Sequence, residues 1–233
     1  MLSKERVKEL NAFCKRVNIK FKNIQLLEQA FHHRSITNEF KKEKNNERLE
    51  FLGDSVLGMV TAAYLFNNLE NPEGDLAKIK SSVVSEKALA SVAIQFGISK
   101  LLVLGHGEEL SGGREKPAIL ADCMEAIIGA YYLDAGYKAA EKYVLEFIEP
   151  AVKNVLVNGM KDYKTQLQEL CQKLFKVCPK YVLIEKKGPE HAQIFSVSVD
   201  CNGTIFGPCN GRTKKDAEQS CAAVAIGKLK EIK

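Results

Sequence analysis

The chain has 233 residues, 45% of them hydrophobic and 27% charged, enough apolar material for one large or two modest domains and too much for a disordered polymer. Collagen-like, coiled-coil and low-complexity classes are excluded. No run approaches the roughly 18 apolar residues of a membrane span, and the opening Met1-Leu2-Ser3-Lys4-Glu5-Arg6 has no apolar h-region, so a soluble, cytoplasmic protein with no membrane partner is expected. Seven cysteines, an odd number without C-x-x-C spacing, point to reduced thiols and away from structural zinc. The net charge of +5 is unevenly spread. Through Val157 the chain holds 21 basic and 21 acidic side chains, leaving 13 and 8 in Asn158–Lys233. A basic module joined to a neutral one with acid clusters suggests a polyanion-binding part beside a part with another task.

In chain order, Ser3 is a candidate N-cap, followed by Leu10, Phe13, Cys14 and Val17 at three- and four-residue intervals. Further helices are predicted over about 23–32, 45–66, 73–81, 85–96, 116–135 and 137–154. The breaks fall at Asn71-Pro72, Phe96-Gly97, Gly105–Gly113 and Ala135-Gly136. Residues 1–157 therefore read as an all-α domain. After Val157-Asn158-Gly159-Met160, a natural linker, the period changes. A helix over 162–175 precedes extended runs over 180–186, 194–201 and 204–208, and a last helix covers 214–232. Phe195, Val197 and Val199 alternate with polar residues as in a half-buried strand, and Asn202-Gly203 signals a hairpin. Residues 158–233 form an α-β-β-β-α domain, so the fold class is α+β. Phe195 and Phe206 are expected in its core.

The helix through Asn46–Val60 places Glu47, Glu50 and Asp54 on one stripe at i, i+3 and i+7 within an apolar run. Buried carboxylates need a cation or a hydrogen-bond partner. Gly53 and Gly58, each costing a helix about 1 kcal/mol relative to Ala, are explained by close approach of another backbone. Leu120–Ala130 repeats the design, with Asp122 and Glu125 at i, i+3 and Gly129 nearby. Two such helices face to face would gather Glu50, Asp54, Asp122 and Glu125. Four acids so placed call for a hard cation such as Mg²⁺ or Mn²⁺. Glu-x-x-His, the di-iron pattern, is absent: Gly53 and Ile128 occupy the positions where His would stand. Carboxylate-held Mg²⁺ suits phosphoryl hydrolysis; the alternative is that each acid pairs with Lys or Arg or sits at a helix end.

In the basic part, Gln168, the loop Gly188-Pro189-Glu190-His191 and Lys214-Lys215 are candidate contacts, the lysines lying at a helix N-terminus that also offers backbone amides to phosphate. Thr213 is the expected N-cap of that helix. No aromatic pair looks suited to stacking bases, which disfavours single-strand readers.

On these residues the chain resembles the bacterial ribonuclease III family over essentially its whole length. Asn46-Glu47-Arg48-Leu49-Glu50-Phe51-Leu52-Gly53-Asp54-Ser55 resembles the family's signature helix, and Asp122-Cys123-Met124-Glu125-Ala126 its second acidic helix. Asp162–Glu169 together with Gly211–Glu218 is similar to a double-stranded RNA-binding domain. The resemblance implies a homodimeric, Mg²⁺-dependent endoribonuclease with no organic cofactor, which cuts double-stranded RNA to leave 5′-phosphates and short 3′ overhangs and processes ribosomal and messenger precursors. It makes Glu50, Asp54, Asp122 and Glu125 metal ligands, Asp54 and Glu125 catalytic, and Glu47 and Glu73 supporting acids. It makes Gln168, His191, Lys214 and Lys215 RNA contacts. The loop around His191 carries no Lys or Arg, where family members often have one. His32 and His33 are expected to be structural, because water on a metal needs no histidine to become nucleophilic. Two other classes compete: an RNA-binding scaffold without activity, and a hydrolase of small phosphate esters. Retention of all four central acids disfavours the first, and the second would need a deep single-chain pocket.

Overall fold

The computed structural model describes residues 2–39, 44–158, 163–189 and 193–231. The chain divides into two compact units, Met1–Val157 and Asn158–Lys233.

The first unit is helical: α1 (Lys4–Arg16), α2 (Ile24–Ala30), α3 (Ile36–Glu39), α4 (Glu47–Asn68), α5 (Glu73–Val83), α6 (Glu86–Gln95), α7 (His106–Leu110), α8 (Pro117–Ala135) and α9 (Tyr137–Asn158). The short α7 lies within the predicted Gly105–Gly113 break, and the short α3 in a stretch for which no element is predicted. Side-chain caps set several starts. Ser3 Oγ accepts from Arg6 N, Asn23 Oδ1 from Gln25 N at 3.1 Å, and Ser85 Oγ from Ala88 N at 3.3 Å. Asp134, in the last turn of α8, accepts from Lys22 N and Asn23 N at 2.6 and 2.7 Å and so fixes the entry to α2.

The central element is α8. Ile119, Leu120, Cys123, Met124, Ile127 and Ile128 are buried on successive faces, because α4, α6 and α2 all pack on it. Contrary to the expectation from the sequence, one described helix, α4, is long and apolar enough to cross a membrane. Its apolar residues Leu49, Val56, Leu57, Val60 and Leu65 are buried within the unit. Gly53 is the reason α4 and α8 come so near. A Cβ there would overlap the carbonyl of Glu125, and one at Gly129 the carbonyl of Leu49. Pairing Leu49 with Gly129 and Gly53 with Glu125 makes the two helices antiparallel. Gly58 does not serve this purpose: its Cβ would meet only the Lys80 ammonium, at an ordinary 3.6 Å.

The second unit has α10 (Tyr163–Phe175), β1 (Lys180–Lys187), β2 (Ile194–Cys201), β3 (Thr204–Gly211) and α11 (Lys214–Glu231). The strands form an antiparallel sheet in the order β1-β2-β3. Asn202 (φ 55°) and Gly203 (φ 85°) make the β2–β3 turn, as the sequence predicts, and Asp200 Oδ1 accepts from Gly203 N at 2.7 Å. One sheet face is covered by α11, against which α10 also packs. Leu167, Cys171, Val199, Cys201, Phe206, Cys221 and Ala225 are buried together. Phe206 is in this core, whereas Phe195 lies half-buried at the strand's start with the Lys186 ammonium 5.6 Å from its ring centre.

Candidate active site and nucleic-acid interface

The glycine contact determines where the acids stand. Glu50 and Asp54 flank Gly53 on α4, and Glu125, whose carbonyl meets Gly53, lies one turn after Asp122 on α8. Asp54 is exposed; Glu50, Asp122 and Glu125 are half-buried at the seam. Their fields overlap. Burial, then the charges of Asp54, Asp122 and Glu50, push the Glu125 carboxyl up to about 7. Burial and then Asp122 and Glu47 raise Glu50, with Arg34 opposing. Burial and then Glu86 raise Asp122, again against Arg34. Burial is the common first cause, and the nearness of like charges adds to it.

Within the described residues none of these four carboxylates makes a hydrogen bond or an ion pair, so pairing with Lys or Arg does not explain them. Nor do they close a ligand shell: among the described residues no three His, Cys, Asp or Glu side chains converge to hold an ion. The donor set still fits a hard divalent cation. It is all oxygen and anionic, with none of the four carboxylates in an ion pair among the described residues, and Mg²⁺ keeps several of its waters and is bound directly through one or two carboxylates.

Around the seam, Glu47 sits in the first turn of α4 and takes a hydrogen bond from Asn45 Nδ2 at 2.8 Å. Glu73 begins α5 and is exposed. Sequence reasoning missed Glu86, the first residue of α6, and Arg34, in the turn before α3. Neither lies on an apolar stripe, so periodicity gives no signal for them. His33 is buried, its Nδ1 2.9 Å from Ser35 Oγ, and burial lowers its pKa. His32 stands 3.4 Å from Glu28. Both histidines are built into the fold.

In the second unit Gln168 is exposed, one residue past buried Leu167. Lys214 and Lys215 are exposed in the first turn of α11, which Thr213 caps by accepting from Asp216 N at 3.1 Å. A Cβ at Gly211 would overlap the backbone of Ala217, so only glycine lets β3 end against this helix start. Lys164 ties α10 to α11 through Glu218 at 2.7 Å, fixing the helix carrying Gln168 relative to the one carrying the lysines. His191 lies outside the described residues.

Comparison with known proteins agrees with this division. The family model described as Ribonuclease-III-like matches residues 23–152, and the double-stranded RNA binding motif matches residues 163–229. The chain is 55% identical to ribonuclease 3 of Treponema denticola, over 98% of this chain and 94% of that protein. It is 43% identical to ribonuclease 3 of Treponema pallidum, over 98% and 92%. A solved nuclease domain of ribonuclease III from Campylobacter jejuni, described for structural flexibility in a region involved in dimer formation, superposes with a TM-score of 0.56. It is 42% identical and covers 60% of this chain and 95% of its own. Likeness that runs through both units and nearly end to end leaves one conclusion: the chain belongs to the ribonuclease III family, and is an endoribonuclease of double-stranded RNA.

Proposed function

We propose that the chain hydrolyses phosphodiester bonds of double-stranded RNA at the α4–α8 seam with Mg²⁺, or Mn²⁺ in its place, and that Glu50, Asp54, Asp122 and Glu125 hold the cation. The observation that carries this reading is the set of four mutually repelling carboxylates, unpaired within the described residues, which the Gly53–Gly129 contact brings to one seam. When bound, the cation supplies the charge that makes water nucleophilic and stabilises the leaving oxygen. Asp54 is exposed beside Gly53 and so open to the substrate. Glu125, whose carboxyl burial and then its acid neighbours raise to about 7 in the metal-free protein, gives up its proton to hold the cation and so ties the site's activity to pH. Products carry 5′-phosphates and short 3′ overhangs.

The second unit holds the duplex. Lys214 and Lys215 meet phosphates across the major groove, while Gln168 and His191 reach minor grooves, a mode that reads A-form shape over about 16 base pairs. A homodimer supplies two sites for two strands. Phe51, Met59 and Phe66 support it, an exposed apolar stripe along α4 at 78%, 52% and 78% exposure. Seven unpaired thiols suit the reducing cytoplasm, where ribosomal and messenger precursors are the substrates.

The test is cleavage of a long labelled RNA duplex by wild type and Glu125→Gln, in Mg²⁺ and in chelator. Short duplex products from wild type with Mg²⁺ alone, and binding without cleavage by the variant, are expected. Tight binding by wild type with no cleavage in either Mg²⁺ or Mn²⁺ would overturn the reading in favour of a scaffold.

A further inference from the structure

Arg34 stands at the edge of the acidic seam on a turn pinned from several sides. His33 N donates to Val103 O at 3.1 Å, Asn46 N to His32 O at 2.9 Å, and Thr37 N to Arg34 O at 3.1 Å. Ser35 Oγ accepts from Gly105 N at 2.8 Å. Asn46 O accepts in turn from Glu50 N at 2.9 Å, so the Arg34 turn is tied by backbone hydrogen bonds to the turn that bears Glu50. The side chain is exposed, and among the described residues its guanidinium makes no hydrogen bond or ion pair. Its charge nevertheless bears on Glu50 of α4 and on Asp122 of α8. A cation held beside acids yet bonded to none of them has its planar fork of donors free. A phosphodiester entering this seam meets carboxylates that repel it, and a fixed guanidinium is the group that binds phosphate oxygens in pairs.

We propose that Arg34 binds a non-bridging phosphate oxygen of the RNA strand beside the acidic seam and so positions that strand for cleavage. This rests on the function proposed above. A purely electrostatic role, in which Arg34 only offsets the acids, would leave RNA binding unchanged and would weaken Mg²⁺ binding by the wild type.

The test compares full-length Glu125→Gln with Glu125→Gln/Arg34→Ala and Glu125→Gln/Arg34→Lys, binding a short RNA duplex in chelator across a salt series. Loss of one phosphate contact lowers the slope of log K against log salt by about 0.9, so between 50 and 200 mM salt the Ala variant loses about 3.5-fold less affinity than its parent. Weaker binding at low salt accompanies this. The Lys variant recovers the slope, because the charge returns without the fork, and that recovery also separates a lost contact from a disturbed fold. Unchanged affinity and slope in the Ala variant overturn the proposal, and so does an effect confined to tighter Mg²⁺ binding in calorimetry. Wild-type cleavage is measured in parallel. If it is absent the proposed function fails, while the salt slope still reports on Arg34 by itself.

Discussion

Gly53 on α4 and Gly129 on α8 lie so close that a methyl on either would stand 3.0 Å from the other's backbone nitrogen and overlap a carbonyl, that of Glu125 or of Leu49. Backbone cannot yield as a flexible side chain does. Gly53→Ala must push the two helices apart, at a cost of about 2–3 kcal/mol by the usual penalty for overpacking. Because the same contact sets the spacing of the four acids, activity should fall further than the loss of folded protein explains. Gly58→Ala is the control. Its methyl meets only the end of Lys80, and the better helix former should leave stability unchanged or raise it by up to about 1 kcal/mol. Thermal melts and cleavage rates of the two variants check both expectations.

Glu125 links stability to pH in the metal-free protein. Burial and then Asp54, Asp122 and Glu50 raise its carboxyl from 4.5 to about 7. Between those values the folded chain binds more protons at this group than the unfolded chain does, so its contribution to stability is present below about 4.5 and is lost as pH rises toward 7. In chelator, Glu125→Gln should therefore melt higher than wild type at pH 8, with the difference vanishing near pH 4, while cleavage in Mg²⁺ is abolished. Added Mg²⁺ should raise the wild-type melting point more at pH 8 than at pH 6, because a carboxylate must lose its proton to bind the ion. Equal melting points for the two proteins at pH 8 would contradict the assignment.

Glu28 behaves with the opposite sign. Burial alone would raise its carboxyl, but hydrogen bonds from His32 and Arg6 and the Arg6 charge overcome that and lower it. Arg6 Nε stands 2.7 Å from Glu28, and Arg6 Nη2 donates to Leu101 O at 2.6 Å, so one guanidinium joins α1, α2 and the chain before α7. The stability Glu28 supplies is present above its unfolded value of 4.5 and is lost as pH falls below it toward the lowered folded value. Arg6→Ala leaves a mostly buried carboxylate with only the longer contact to His32 and should cost about 2–4 kcal/mol near pH 7. Denaturant unfolding of wild type and Glu28→Gln between pH 5 and pH 3 should show a shallower acid loss in the variant.

The two acid pairs and the α-β-β-β-α order were legible because each has a period: carboxylates at i, i+3 and i+7 share a helix stripe, and Phe195, Val197 and Val199 alternate. Periodicity does not reveal what happens at an element's edge. Phe195 keeps the alternation but falls at the start of β2, where the core has ended and a lysine takes its ring. Gly53 and Gly58 look equivalent in sequence, yet only the first faces another backbone. Arg34 bears on the acids from a turn that backbone hydrogen bonds tie to the start of α4, and Glu86 from a helix start that the packing of α6 on α8 brings near them. No uninterrupted apolar run of membrane-spanning length marks α4 in the sequence, where Glu47, Glu50 and Asp54 break it. Its length and composition still pass such a test, since a helix packed against α8 and exposed along Phe51, Met59 and Phe66 is apolar on more than one side.

Lys214 and Lys215 stand exposed on a helix start that Thr213 caps and Gly211 allows β3 to approach. In the proposed reading their contribution to RNA binding is electrostatic and independent of sequence, so it should appear in the salt dependence. Replacing both by Ala should lower the slope of log K against log salt by about 1.8, at about 0.9 per phosphate contact, and weaken duplexes of different sequence equally. Gln168→Ala should weaken binding by less and leave the slope unchanged, because an uncharged side chain releases no counterion. Cleavage by the double-Ala protein should show a raised KM, with kcat near that of wild type on saturating duplex, since the acids at the α4–α8 seam are untouched. A fall in kcat with unchanged KM would place the lysines in the chemistry instead of in the holding of the duplex.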